Sequence, residues 1–453
     1  MLDMTKGSPM RGMLAFSIPV LLGNVFNQIY SITDSIIVGR VLGLDALAAV
    51  GCTMPIVFLM AAIMFGINGG VSIMLSQAYG SRDMVLMRRY FINSLYLGVM
   101  VAIVIAGVGY VISEPVLHLL GTPEGPFDEA LSYIRVSFLT SICPLFYYLM
   151  ACAYRGMGDS RTDLYFLILS VVANIFLDYL FVAVYDWGVA GSAWATALAQ
   201  LLSVAFSSTV LFIKYPQMRM KREDLKPDRR TFSQIVKLAL PIAVQTAFNN
   251  LGNIVAQGVV NSFGSVVMAA YTAGGRVGTF ALMPLETVGN TLSVYTGQNY
   301  GAREEERIHK GRQAAMKLQL IISVVLGIVL VLFGKSIAAQ FLEEPSEEML
   351  RISYQFLLVT AVPGIFAGVM LVYQQLMRGI GKAKEAMYSG LVQLGVKIAV
   401  IMAGYFVLHK PIAVWWAWPI SFAAATAVAV WLYKRNGAIE FPKINANVSE
   451  FSE

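Results

Sequence analysis

Residues 77–83 read QAYGSRD, and residues 298–304 read QNYGARE. The two stretches share Gln, Tyr, Gly and Arg in register at an offset of 221 residues, and an acidic residue ends both. Three more pairs recur in the same order: FSIPV (16–20) with LALPI (238–242), GLDALAAV (43–50) with GSVVMAAY (264–271), and RGMG (155–158) with RGIG (378–381). Four pairs at a nearly constant offset indicate that the chain consists of two homologous halves.

The residues around these repeats have the composition of an integral membrane protein. Of 453 residues, 57% are hydrophobic and 13% are charged, whereas soluble globular domains are about 25% charged. Apolar runs long enough to span a bilayer, roughly 20 residues, recur along the whole chain. We predict an all-α polytopic protein with twelve transmembrane helices, at residues 12–38, 47–76, 88–112, 129–154, 161–184, 189–213, 233–260, 266–297, 311–333, 349–377, 384–407 and 411–433.

The offset between the halves covers six of these helices. Because six is even, both halves have the same orientation in the membrane, and an axis along the membrane normal relates them. Two bundles arranged in this way enclose a cleft at mid-membrane, and rocking one against the other alternates access to that cleft. We therefore predict a transporter with two pseudo-symmetric six-helix bundles, residues 1–213 and 233–453, joined by a basic linker at 214–232.

The basic residues predict the orientation of the chain. Of 33 Lys and Arg, 25 lie in the N-terminus, the even-numbered loops and the C-terminal tail. The odd-numbered loops hold five, which are Arg40, Arg135, Lys335, Arg351 and Lys410. By the positive-inside rule both termini are cytoplasmic, in a multi-pass protein of the cell (inner) membrane. We expect the basic linker to be a solvated connector, and an anionic-lipid site is the alternative.

Several functional classes lack their sequence signatures. Cys52, Cys143 and Cys152 lie in apolar segments, where cysteine serves as a small core residue. The three histidines show no metal-ligand spacing, and the chain has no GxxxxGK[ST] phosphate loop. We therefore expect a monomeric protein that is not an enzyme, needs no cofactor and binds no nucleic acid.

One carboxylate interrupts the first apolar run, in SITDSIIVGR at residues 31–40. A charge at membrane depth, here Asp34, costs several kcal/mol on most estimates and therefore suggests a function. Asp178, in NIFLDYL, lies at a similar predicted depth, and Asn174 precedes it by four residues on one helical face. Two such carboxylates either share a proton or bind a hard cation such as Na⁺. Helix packing through polar contacts is the alternative role.

The ordered set of motifs resembles the MATE (multidrug and toxic compound extrusion) family over nearly the whole chain. The motifs that carry this resemblance are TDSIIVGR at 33–40, the paired Q.YG.R motifs and the paired RG.G motifs. The resemblance implies an antiporter that exports amphipathic, often cationic, organic compounds in exchange for Na⁺ or H⁺. It also implies a cation or proton site in the N-terminal half, formed by Asp34, Asn174, Asp178, Tyr133 and Thr196, with Na⁺ at the first three.

The C-terminal half departs from a second branch of that family, which carries acidic residues on helices seven and ten. Helix seven instead carries amides, and helix eight carries one acid near mid-depth. We predict that these side chains line the substrate cleft; they are Asn249, Asn250, Asn253, Gln257 and Glu286. Helix–helix hydrogen bonding is the alternative for the amides. Glu286 either contacts cationic substrates or forms an ion pair with Lys397.

Three other functions compete with drug antiport. A flippase for lipid-linked oligosaccharides, from the same superfamily, would need a basic cleft, whereas the charges within the N-terminal spans are acidic. A major-facilitator transporter shares the six-plus-six plan, but the chain carries no signature of that class. A membrane enzyme would need a metal cluster or a Ser–His arrangement, which the spans lack.

Overall fold

The computed structural model describes residues 2–342, 345–361, 364–436, 439 and 441. Within these residues the regular structure is helical and no strand occurs, as the sequence predicts. The spans are α1 Pro9–Val41, α2 Leu44–Gly80, α3 Met84–Leu119, α4 Glu124–Leu139 with Ile142–Gly156, α5 Ser160–Asp178 with a π-helical turn Tyr179–Val184, α6 Gly188–Lys214, α7 Arg229–Asn261, α8 Ser265–Gly301, α9 Glu305–Ala339, α10 Glu347–Ala361 with Gly364–Gly379, α11 Ala383–Ala403 with a π-helical turn Gly404–Leu408, and α12 Pro411–Trp415 with Ala417–Asn436.

Each predicted span falls within one of these helices or helix pairs. Nine described helices are individually long and apolar enough to cross a bilayer, and the bent pairs α4 and α10 raise the number to eleven. The twelfth, α7, is less apolar because of its amides, but its 33 residues correspond to about 50 Å of helix, which exceeds the bilayer core.

The two halves share unusual backbone conformations. Positive φ angles occur in pairs at the repeat offset, in Gly43 (93°) and Gly264 (97°), Arg82 (60°) and Arg303 (60°), Gly158 (77°) and Gly381 (85°), and Asp186 (53°) and His409 (52°). Left-handed conformations are uncommon for residues other than glycine. Their recurrence shows that the repeated motifs adopt the same local structure in both halves.

Both α4 and α10 bend near mid-span, by 46° and 45°. In α4 the break lies at Thr140–Ser141, four residues before Pro144. A proline has no N–H to donate to the carbonyl four residues earlier, and its ring clashes with that carbonyl. The Thr140 carbonyl instead accepts from the Cys143 amide at 2.9 Å. Pro363, the proline within α10, lies outside the described residues.

The contact between the N-terminal bundle (α1–α6) and the C-terminal bundle (α7–α12) is most extensive between α2 and α7. A Cβ atom added at Gly66 would lie 2.2 Å from Ala243 Cα, and one added at Gly70 would lie 2.7 Å from Ala239 N. Only glycine allows these two backbones to approach so closely. The domain boundaries at 213/214 and 232/233 stay a prediction.

The described hydrogen bonds between the bundles lie mainly toward one end of the helices. We call the helix ends near the N-terminus and the linker the terminal face. Ser17 on α1 donates to Thr291 on α8 at 2.8 Å, and Asn24 donates to Thr287 at 3.1 Å. The described inter-bundle bond farthest from the terminal face is that of Asn250 Nδ2 with the Phe58 carbonyl, 3.4 Å, beyond the middle of both helices. The bundles are therefore held together on the terminal face.

The linker is docked rather than freely solvated. Arg88 on α3 forms a buried ion pair with Asp224 at 2.7 Å and also donates to the Gln217 carbonyl at 2.8 Å. Burial acts to raise the pKa of Asp224, but hydrogen bonds from the Lys221 amide and from Arg88 outweigh burial and lower it. The prediction of a solvated connector therefore missed this contact, because an ion pair across 136 residues leaves no local sequence pattern.

Candidate functional site

Two carboxylates meet inside the N-terminal bundle. The side chains of Asp34 on α1 and Asp178 on α5 lie within hydrogen-bonding reach of each other. Ser192 on α6 donates its hydroxyl to Asp34 Oδ1 at 2.6 Å. Asp178 is fully buried, and Asp34 is partly accessible. The structure therefore brings together the two acids that the sequence pattern singles out.

A second polar layer lies one helical turn closer to the terminal face. Thr196 on α6 is hydrogen-bonded to the Tyr30 hydroxyl on α1 at 2.8 Å and to Asn174 Nδ2 on α5 at 3.3 Å. Thr196 and Asn174 were predicted site residues, and Tyr30 was not. The two helices that carry the carboxylates and α6, which carries Ser192, therefore all contribute to this layer as well.

The two layers follow from one spacing used three times. The pairs Tyr30/Asp34, Asn174/Asp178 and Ser192/Thr196 are each four residues apart. Residues four apart lie on one face of a helix, separated by about 6 Å along its axis. Since α6 runs opposite to α1 and α5, Ser192 lies at the level of the two acids and Thr196 lies in the second polar layer. Three polar faces thus converge on one axis inside an apolar bundle.

Asp178 is buried with weak hydrogen bonding to its charge. Among the described residues neither of its carboxyl oxygens accepts a hydrogen bond of good geometry, although the Ser192 hydroxyl and the Asn174 amide lie near enough to interact with it. A buried carboxylate so weakly bonded, beside a second carboxylate, is unfavourable while both are ionised. A proton shared between the two acids, or a cation bound by both, removes that repulsion. The geometry therefore suits a site that binds one positive charge.

The ligands available for such a charge are oxygen atoms. Besides the carboxylates, the buried Asn174 Oδ1 has no partner among the described residues, and Thr196 supplies a hydroxyl. Hard cations such as Na⁺ favour carboxylate, amide and hydroxyl oxygens. Nowhere in the described chain do three His, Cys, Asp or Glu side chains converge as a metal cluster would require. The amide and hydroxyls would therefore complete the coordination shell.

Tyr133, the remaining predicted ligand, lies at the edge of the site. It is close enough to Asp34 and Asp178 to interact with their charges, but no described hydrogen bond joins its hydroxyl to either acid. Its ring packs against an apolar cluster that includes Val38 and Val189. The structure places Tyr133 near the pair without making it a ligand.

A small polar cavity lies beside the second layer. Its volume is about 60 Å³, and its lining includes Tyr30, Asn174, Thr196 and Gln200. Gln200 Oε1, like Asn174 Oδ1, has no partner among the described residues. The cavity is therefore large and polar enough to hold water beside the ion site.

The predicted cleft residues of the C-terminal bundle do not form one cluster. Asn253 accepts from Lys397 Nζ at 2.6 Å, and Gln257 donates to Asn261 on its own helix at 2.7 Å. Asn250 reaches the Phe58 carbonyl of the other bundle, whereas Asn249 makes no hydrogen bond within the described chain. At least Asn253 and Gln257 thus follow the alternative interpretation of the amides as helix-bonding groups.

Glu286 is accessible and does not pair with Lys397. The Lys397 ammonium is bound by Asn253 and lies 4.4 Å from the centroid of the Trp418 ring. Among the described residues Glu286 has no ion pair or hydrogen bond. Its neighbour Thr287 accepts from Asn24 of the other bundle, which places Glu286 beside the inter-bundle contact. The hypothesis of a Glu286–Lys397 ion pair is wrong, because a nearer amide and indole already bind the ammonium.

The sequence interpretation missed Tyr30 and Ser192. Each lies four residues from a predicted ligand, Tyr30 before Asp34 and Ser192 before Thr196. That helical spacing could have identified both residues. A tyrosine and a serine are nevertheless common in membrane helices, where serine also hydrogen-bonds to its own backbone. Only the position of α6 relative to α1 distinguishes these two residues from others of their kind.

A family model described as MatE matches this chain twice, at residues 19–180 and 241–402. The chain belongs to the MATE family of transporters. The two matched segments correspond to the two repeated halves. Members of this family are membrane transporters rather than enzymes, coupled to ion gradients and without a cofactor.

Curated MATE relatives cover most of the chain. The chain is 28% identical over 441 residues to the probable multidrug resistance protein YoeA of Bacillus subtilis, covering 95% of this chain and 94% of that one. It is 24% identical over 392 residues to a FAD transporter of Shewanella oneidensis, covering 85% of each. It is 22% identical over 408 residues to the multidrug export protein MepA of Staphylococcus saprophyticus, covering 88% of this chain and 89% of that one.

Solved MATE structures share the fold. An outward-facing multidrug resistance MATE transporter of the MOP superfamily matches with a TM-score of 0.89 at 21% identity, covering 97% of this MATE protein and 98% of that chain. A MOP superfamily transporter from Pyrococcus furiosus, described as having a binding pocket of reverse polarity, matches with a TM-score of 0.89 at 22% identity and the same coverage. The twelve-helix architecture of these structures agrees with the predicted fold.

Proposed function

We propose that this MATE protein is a secondary active multidrug efflux transporter, which exports amphipathic, cationic organic compounds in exchange for Na⁺ or H⁺. The observation that carries the proposal is the close approach of Asp34 and Asp178 inside an apolar bundle, where Asp178 is fully buried. Such a pair favours the uptake of one positive charge. The names of the multidrug relatives support the substrate class.

Coupling requires that the ion favours one arrangement of the bundles and the drug the other. A ligand shifts such an equilibrium only by its differential affinity for the two states. Asp34 lies on α1, which also hydrogen-bonds to α8 of the C-terminal bundle through Ser17 and Asn24. Neutralising the carboxylate pair therefore acts on a helix that contacts both bundles. We propose that α1 transmits ion binding to the inter-bundle contact.

The direction of transport follows from the proposed orientation. With both termini in the cytoplasm, the carboxylate pair lies in the half of the membrane away from the terminal face. An ion entering from outside is driven by its gradient and by the membrane potential. A potential of 100 mV supplies about 2.3 kcal/mol per charge moved, roughly fiftyfold in concentration at equilibrium.

The proposal is tested with purified protein in liposomes. A Na⁺ gradient and a proton gradient are imposed separately, and movement of a fluorescent organic cation such as ethidium is followed. We expect one gradient to drive movement of the dye against its own concentration, and that gradient identifies the coupling ion. Protein-free liposomes are the control. If neither gradient moves the dye, antiport of organic cations is wrong for this protein.

Glu286 is proposed to recognise positively charged substrates. The residue is exposed, is adjacent in sequence to the inter-bundle residue Thr287, and has no cationic partner among the described residues. We expect Glu286→Gln to raise the KM for a cationic dye about tenfold, the equivalent of roughly 1.4 kcal/mol, and to leave the KM for a neutral substrate unchanged. Glu306→Gln, at an exposed acid on the terminal face, is the control. An equal change for both substrates would contradict the charge contact.

A further inference from the structure

The repeated motifs meet crosswise on the terminal face. Gln77 Nε2, from the Q.YG.R motif of the N-terminal half, donates to the Gly379 carbonyl of the C-terminal RG.G motif at 2.8 Å. Gln298 Nε2, from the matching motif of the C-terminal half, donates to the Gly156 carbonyl of the N-terminal RG.G motif at 2.8 Å. The internal repeat thus generates two equivalent hydrogen bonds, and both of them join the two bundles.

The ends of α2 and α8 touch backbone to backbone around these bonds. A Cβ atom added at Gly80 would lie 1.9 Å from the Gln298 carbonyl oxygen, and one at Gly301 would lie 1.9 Å from the Gln77 carbonyl oxygen. Both glycines belong to the Q.YG.R motifs. Each motif therefore contains both the glycine that allows the two backbones to approach closely and the glutamine that hydrogen-bonds to the other bundle. Neither contact serves the ion site, which lies toward the opposite face.

We propose that Gln77 and Gln298 are the closing pair of the terminal face, two positioning residues that hold the bundles together while the cleft is accessible from the opposite side. This inference rests on the proposed alternating-access transport. When the terminal face opens, both hydrogen bonds must break. Water then replaces the lost partners, so the net cost of breaking each bond is modest. A contact of this kind closes the face firmly and still releases reversibly.

The two glutamines of the closing pair differ in burial and in the contacts around them. The N-terminal segment crosses the Gln298 side: Met4 N donates to Gln298 Oε1 at 3.1 Å, and Asn299 Nδ2 donates to the Met4 carbonyl at 3.1 Å. Arg307 Nη2 reaches the same carbonyl at 3.0 Å. Gln298 is fully buried, whereas Gln77 is partly exposed. We therefore expect the loss of Gln298 to open the face more than the loss of Gln77.

The test measures access from the terminal face and needs no ion coupling. The three native cysteines are replaced by alanine, and Thr291→Cys supplies one thiol at the Ser17 contact, deeper between the bundles. Labelling by a membrane-impermeant methanethiosulfonate is then timed from each side of the membrane in oriented vesicles. With both Gln77→Met and Gln298→Met present, we expect terminal-face labelling to accelerate about tenfold, and each single variant to give a smaller increase.

The matched control is Gln319→Met in the same background. Gln319 is also buried and donates to a backbone carbonyl, that of Leu285, at 2.8 Å, but within the C-terminal bundle alone. We expect it to leave labelling unchanged. If the double Met variant fails to fold, Gln77→Asn with Gln298→Asn replaces it, since the shorter amide stays polar but loses reach.

The possible results separate the closing pair from the antiport. Labelling equal to that of Gln319→Met would overturn the closing pair, whether or not the wild type shows ion-driven transport. Faster labelling confined to the terminal side would support it, even if the dye assay finds no coupling ion. Faster labelling from both sides equally would indicate general loosening and would also overturn the proposal.

Discussion

Replacing Asp34 by asparagine should abolish ion-driven efflux while the protein still folds and reaches the membrane. Asparagine keeps the size of the side chain and an oxygen that can accept from the Ser192 hydroxyl, now 2.6 Å from Asp34 Oδ1. It removes the charge that, together with Asp178, favours a proton or a cation. We expect the ion-driven rate to fall at least about 100-fold, because a lost charge at membrane depth cannot be replaced by solvent.

The measurement is dye movement in liposomes under the coupling gradient, with melting temperature in detergent as the measure of folding. Asp45→Asn is the matched control, since Asp45 is an exposed acid in the first turn of α2. We expect this control to transport like the wild type. An Asp34→Asn protein that transports at the wild-type rate would show that Asp34 only fixes helix packing, and the proposed coupling site would be wrong.

The second large effect is expected at the contact between α2 and α7. Gly66→Val places a Cβ where Ala243 Cα would be only 2.2 Å away, far inside van der Waals contact. Because the obstacle is backbone rather than a flexible side chain, the helices must separate. Overpacking typically lowers the free energy of unfolding by about 1–3 kcal/mol, and we expect a clash with backbone to lie at the upper end of that range. We expect transport to be lost and the melting temperature to fall.

Gly51→Val is the matched control for this substitution. It makes the same change in the same helix, but an added Cβ at Gly51 meets no atom within 4 Å. We expect near-normal transport and stability for that variant. Equal behaviour of Gly66→Val and Gly51→Val, in dye movement and in melting temperature, would show that α2 and α7 do not need this close approach.

Much of the architecture was predictable because membrane helices follow local rules. Length and apolarity identify a span, since the bilayer core has a fixed thickness. The repeated motifs imply two equivalent halves without any knowledge of their packing. The missing N–H and the ring of Pro144 act within one turn and favour the bend of α4, but Pro19 and Pro55 lie in unbroken helices, so a proline alone does not fix where a helix bends. Even the pairing of Asn174 with Asp178 is a local matter of helical spacing.

Other features depend on which helices pack against each other, and local sequence rules do not determine that. Ser192 and Tyr30 join the site only because α6 packs beside α1, and their residue types are ordinary for a membrane helix. Lys397 binds Asn253 rather than Glu286 since α11 presents the ammonium to α7. In these cases several polar partners were equally plausible, and the relative rotation of two helices selected one of them.

By itself, the sequence determined the membrane class, the twelve spans, the internal repeat and the unusual carboxylates, since all of these arise from composition and short-range spacing. The tertiary structure decided how those elements are used. It brought Asp34 and Asp178 within reach of each other and buried Asp178 completely. It also placed the side chains of Gln77 and Gln298 so that each hydrogen-bonds to a carbonyl of the opposite bundle. The reason is physical: contacts such as Asp34–Ser192 and Gln77–Gly379, across 158 and 302 residues, depend on the packing of whole helices, which no short stretch of sequence encodes.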